Sequence, residues 1–176
     1  LLSIFLVLSG ATGLVYEVIW SKALADILGN SGQAHAIVLA TFMGGLALGA
    51  WVFGGLSDRV ERPLALYGVI ELFVGLYALV FPAVQHALGD TFLSVAAGLS
   101  EGARPIAKLS FAALSLLPPT IAMGGTMPAM LKHATRGDPS IRATLAHLYA
   151  VNSFGAALGA WFAGTVSLPA VGLSAT

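Results

Sequence analysis

Cysteine is absent from this chain, which excludes disulfides, thiolate metal sites and thiol catalysis and leaves the redox compartment open. Charge is scarce: eight basic and eight acidic residues are spread over 176 positions, and the formal net charge is zero. Such a chain offers no basic surface for nucleic acid or anionic lipid. His35, His86, His133 and His147 are scattered singly, so no metal site is expected. There is no Ser–His–Asp order, no HExxH and no pair of histidines at helical spacing. Neither catalytic residues nor a cofactor is expected within these residues.

What fills the chain instead is apolar: 57% of residues are hydrophobic and the mean hydropathy is +0.89. The few charges fall between five apolar runs, at about 1–28, 33–56, 64–85, 105–131 and 143–170. Each is long enough for a hydrocarbon core that needs roughly 20 residues. Within lipid every backbone amide must be satisfied inside its own segment, so the runs are predicted to be helices. The fold class is all-α: one polytopic transmembrane bundle over 1–176, with the lipid bilayer as its first partner. Residues 89–101 are predicted to form a short amphipathic helix on the membrane surface. Basic residues concentrate in the gap Ser57–Pro63 and in the gap holding Lys132, His133, Arg136 and Arg142. The positive-inside rule then puts both gaps and the N-terminus in the cytoplasm.

The segment Gly45-Leu-Ala-Leu-Gly49-Ala-Trp-Val-Phe-Gly54 recurs as Gly155-Ala-Ala-Leu-Gly159-Ala-Trp-Phe-Ala-Gly164, with seven of ten positions identical at an offset of 110. The copies lie three runs apart, with two runs between them, so they cross the membrane in opposite directions. This predicts a three-plus-three inverted repeat whose sixth helix follows Thr176. Gly45, Gly49, Gly155 and Gly159 are the expected helix-packing positions, because small residues let backbones approach. The chain opens on Leu1 and closes on Thr176 directly after an apolar run, so it is expected to be a piece of a longer protein.

Gly54-Gly55-Leu56-Ser57-Asp58-Arg59-Val60-Glu61-Arg62 resembles the loop motif of major facilitator transporters, with Glu61 in place of the usual glycine and Pro63 in place of the second basic residue. A wider set runs through Ser9-Gly10-Ala11, Tyr16-Glu17-Val18-Ile19-Trp20, Phe42-Met43-Gly44-Gly45 and Glu71-Leu72 with Gly75-Leu76-Tyr77. It continues through Leu117-Pro118, Met123-Gly124-Gly125-Thr126-Met127-Pro128 and Leu148-Tyr149-Ala150-Val151-Asn152. Together these resemble the membrane half of fused facilitator–spermidine synthase proteins over almost the whole chain. The resemblance implies a bacterial inner membrane and a soluble polyamine aminopropyltransferase-like domain following on the cytoplasmic side. The Gly44–Gly49 cluster lies inside an apolar run with no preceding strand and is no dinucleotide fingerprint.

Glu17 and Glu71 fall inside runs one and three. At helical spacing Gly10, Gly13, Glu17 and Ser21 share a face, as do Gly68, Glu71, Gly75 and Ala78, which points both carboxyls into the bundle. An intramembrane carboxyl costs roughly 2.5–3.5 kcal/mol on insertion scales and needs compensation. Glu17 and Glu71, with Tyr149 and Asn152, are the candidate pocket for a cationic or proton-linked solute, and the family resemblance suggests a polyamine. The competing reading is that each carboxyl merely hydrogen-bonds a neighbouring helix. Pro118-Pro119 and Met123–Pro128 make run four either kinked or discontinuous. Asp58, Arg59 and Arg62 are read as a solvated turn that latches cytoplasmic helix ends. Lys22 and Asp26 are spaced to pair, and Trp20, Trp51 and Trp161 read as interfacial anchors. Three roles fit: an anchor for an aminopropyltransferase-like enzyme, a half-sized transporter working with a second copy, or an accessory subunit of a larger membrane complex.

Overall fold

The structure, a computed structural model, describes residues 2–29, 31–135 and 141–172, and within them it is built of helices alone. Helix α1 spans Leu2–Leu28, α2 Gly32–Arg59 and α3 Pro63–Ala96. The fourth run divides into α4, Arg104–Gly124, and α5, Thr126–Ala134. The fifth is α6, Ile141–Phe162, continued by a π-helical turn at Ala163–Ser167 and a short α7, Leu168–Val171. Among the described residues four stretches are long and apolar enough to cross a membrane: α1, α2, α3 and Arg104–Ala134. Their outward faces are apolar: Leu79 is 78% exposed and Trp51 77%, with Val69, Leu72 and Leu114 also turned outward. An exterior of that kind is stable against acyl chains and would be an aggregation surface in water.

Local chemistry sets the boundaries. Gly29 turns the chain at φ +92°, a conformation only glycine adopts cheaply. Ser31 then caps α2, its Oγ accepting from the Ala34 amide at 3.2 Å. Pro63 opens α3 in the first turn, where its missing donor is no loss.

Several sequence expectations need correction. There is no separate surface helix at 89–101; α3 runs unbroken past Pro82 to Ala96, and the residues after it form turns. At 1.5 Å per residue α3 is about 50 Å long, well beyond a ~30 Å hydrocarbon core, so its C-terminal turns carry His86 and Asp90 clear of the apolar layer. Ser57, Asp58 and Arg59 are not a turn but the last turn of α2. Run four does not break at Pro118-Pro119. It steps at Gly125, whose amide bonds the Ala122 carbonyl at 2.9 Å, three residues back rather than four. Pro119 leaves the Ser115 carbonyl without its helical donor, and the Tyr77 hydroxyl supplies one at 2.8 Å. Lys22 and Asp26 form no ion pair; among the described residues the one pair is Lys132–Asp58. Arg136, Asp138 and the expected chain continuation past Thr176 lie outside the described residues.

The helices pack in a defined sense. Tyr67 reaches the Phe5 carbonyl and Phe81 stacks on Trp20, so α1 and α3 run parallel. Phe92 meets Phe111 and Tyr77 meets Ser115, so α3 and α4 run antiparallel. The two most extensive interfaces join α2 to α4 and α1 to α6, each pair parallel. Glycine makes both. A β-carbon on Gly49 would overlap the Ile121 carbonyl, and one on Gly159 the Ala11 carbonyl; Gly45 lies likewise on Thr120 and Gly155 on the Val7 carbonyl. Gly159 stands 110 positions after Gly49, and Ala11 110 positions before Ile121. The same offset that relates the two sequence copies therefore exchanges their contacts. Trp20, read above as an interfacial anchor, is instead 2% exposed in an aromatic core. It stacks on Tyr16 at 5.1 Å and on Phe81 at 4.7 Å.

Candidate functional site

A chamber of about 110 Å³ lies where the helices converge. It is bordered by Ser9, Gly10, Thr12, Gly13 and Leu14 of α1, Phe42 and Leu46 of α2, and Glu71 and Val74 of α3. Met123 of α4, Thr126 of α5 and Asn152 of α6 complete the wall. Close packing holds Asn152 there: its carbonyl occupies the place a β-carbon of Gly10 would take. Glu71 is half-buried, and its Oε1 is fully buried with no hydrogen-bond partner. An unpaired buried carboxyl oxygen is costly, and native proteins keep few of them.

The hydroxyls around it are already committed as donors. Thr12 donates to the Leu8 carbonyl at 2.9 Å, and Thr126 to the Met123 carbonyl at 2.8 Å. Their protons spent, both oxygens have only lone pairs left to offer. Tyr67 donates to the Phe5 carbonyl at 3.2 Å, and its hydroxyl also lies within hydrogen-bonding reach of Ser9 and of the Glu71 carboxyl. The chamber is thus rich in acceptors around a carboxyl with one unpaired oxygen, which suits a ligand that donates hydrogen bonds.

Of the sequence candidates, the fold brings Glu71 and Asn152 to one chamber and does not bring the other two. Glu17, half-buried two turns further along α1, borders neither this chamber nor the groove beside it. Tyr149 is 56% exposed and faces outward. Sequence reasoning missed Ser9, Thr12, Tyr67 and Thr126. The signal for the first two was present, since Ser9, Thr12 and Gly13 lie within one turn of the Gly10 contact face. Thr126 becomes visible only once the helix step at Gly125 swings it inward.

A second cleft, about 700 Å³, lies between the far ends of α1 and α3, with Tyr16, Trp20 and Phe81 as its wall and Asp26, His86 and Asp90 among its polar lining. Among the described residues no group of three metal-binding side chains is found. At the opposite end Asp58 pairs with Lys132 at 2.8 Å, tying α2 to α5, while Arg59 borders a shallow groove with Trp51 and Leu56. Arg62 stands at the N-terminal boundary of α3. The Asp58 side chain is 70% exposed, so solvent screens the pair. Asp58→Asn should change unfolding free energy by less than about 1 kcal/mol in detergent titration. A larger loss would mean that the pair ties the helix ends together more tightly than an exposed contact does.

No family model, no curated protein and no solved structure matches this chain.

Proposed function

We propose that this chain is the membrane domain of a spermidine-synthase-like fusion protein of the bacterial inner membrane, folded as a facilitator-like inverted repeat and holding an amine-binding site on Glu71. The observation that carries the site is Glu71, which borders a chamber shared by all the membrane helices and whose Oε1 is buried without a hydrogen-bond partner. An ammonium group has three donors and no acceptor, the complement of a carboxyl flanked by hydroxyl lone pairs. A plain anchor needs no chamber at all. The repeat is supported by the exchanged contacts Gly49–Ile121 and Gly159–Ala11.

Ligand binding to the folded state raises stability by mass action. In detergent, 100 mM ethylammonium chloride (a probe concentration of about 0.1 M) is expected to raise the unfolding temperature above that in equimolar sodium chloride. Glu71→Gln should abolish the rise and Glu17→Gln should preserve it. An undiminished rise in the Glu71 variant refutes the site.

A further inference from the structure

On its outer side the Glu71 chamber meets a groove of about 490 Å³ between α1 and α3. Ser9, Thr12 and Glu71 line both, so the carboxyl stands at their junction. The rest of the groove is Phe5, Leu8, Leu64, Tyr67 and Gly68. Leu8 is 57% exposed and Phe5 38%, so the groove opens on the flank of the bundle, within two helices apolar enough to span a membrane. Leu64 stands in the first turn of α3, so the groove starts at the helix ends, and its walls beyond that turn are placed against acyl chains.

The sizes decide what fits. At ~30 Å³ per water the inner chamber holds the equivalent of about four waters, enough for an ammonium head and little more. Any longer ligand must lie in the groove. Leaving Tyr67 aside, the groove walls beyond Ser9, Thr12 and Glu71 are apolar, with no second carboxyl. The second and third ammoniums of a polyamine would lie there desolvated and unpaired, each lowering occupancy on the order of 100-fold. An alkyl tail would be matched on every side.

We propose that the Glu71 site is filled sideways from the bilayer by a lipophilic monoamine, its ammonium in the chamber and its alkyl chain in the α1–α3 groove. This rests on the reading of Glu71 as an amine site and narrows the ligand from polyamines to amphiphiles. The two are separable, because small amines test the chamber and long ones test the groove.

The chain has no cysteine, so Gly13→Cys, at a chamber position whose β-carbon meets nothing within 4 Å, introduces a single thiol beside the junction. Its alkylation by N-ethylmaleimide, a neutral reagent, is followed with the full chain in phosphatidylcholine nanodiscs. Leu8→Cys on the open groove wall is a second reporter, and Leu79→Cys on the lipid face corrects for changes in the bilayer itself. Dodecylammonium is expected to slow alkylation at the first two positions about tenfold, a shift of ~1.4 kcal/mol in occupancy. Dodecanol and spermidine should leave it within about twofold, on the same scale. A β-carbon on Gly68 meets nothing within 4 Å, so Gly68→Leu has room to project its side chain into the groove it lines. That variant should lose protection by dodecylammonium and keep protection of the Gly13→Cys thiol by ethylammonium. Equal protection by spermidine, or persistent protection of the Gly68→Leu variant, overturns the side entrance and leaves the amine site standing. Protection by dodecanol equal to that by dodecylammonium, or none by any amine, overturns both.

Discussion

Gly49→Ala and Gly159→Ala are each expected to destabilise the bundle by about 2–3 kcal/mol, at the upper end of overpacking costs. The added methyl on Gly49 meets the Ile121 carbonyl, and that on Gly159 the Ala11 carbonyl. Backbone cannot rotate aside as a side chain can, so the helices must part along the whole interface. Without a hydrophobic force between helices in lipid, that close packing is the main source of their association. Gly44 lies one residue from the Gly45 contact, yet a β-carbon there meets nothing within 4 Å. Gly44→Ala is therefore expected to be neutral or slightly stabilising, since alanine is the better helix former by about 1 kcal/mol. The two damaging changes lie in separate helix pairs, so their effects should add. Unfolding titration in mixed micelles reads all four proteins. If Gly49→Ala behaves like Gly44→Ala, the α2–α4 interface is not as close as described.

Trp20→Ala is expected to cost about 3 kcal/mol, the low end of the range for removing a buried large aromatic. The low end applies because part of the usual loss is transfer from water, and a side chain between membrane helices has lipid as its alternative. What remains is the void left among Tyr16, Tyr77 and Phe81, which all contact the indole. Trp51→Ala and Trp161→Ala remove rings that are 77% and 62% exposed, and should each stay within about 0.5 kcal/mol. Equal effects at the three positions would contradict the burial of Trp20.

Much of the architecture was legible in the sequence. Runs of apolar residues separated by charge give the membrane helices, because lipid tolerates no other continuous backbone. The Gly-x-x-x-Gly copies give the contact faces, and both glycine pairs are where backbones meet. What periodicity does not carry is tertiary. Nothing local distinguishes Trp20 from Trp51, since each is a tryptophan near a run boundary; only the approach of α3 encloses the first. Pro118-Pro119 looked like a break, yet the helix survives because Tyr77, 42 positions from Pro119, replaces the lost donor. The site divides the same way. Glu71 was legible as an expensive intramembrane carboxyl, but Glu17 carries an identical signal and lies outside the chamber.

The two tightest interfaces join helices far apart along the chain, α1 with α6 and α2 with α4. As the polypeptide leaves the ribosome, α1 enters the membrane with its glycine face uncovered. It must wait until three more stretches have emerged before its mate arrives. Assembly is thus a late event that closes the whole structure at once rather than span by span. Truncation after α3 should leave inserted but unassembled segments, prey to membrane proteases, because neither glycine seam can then form.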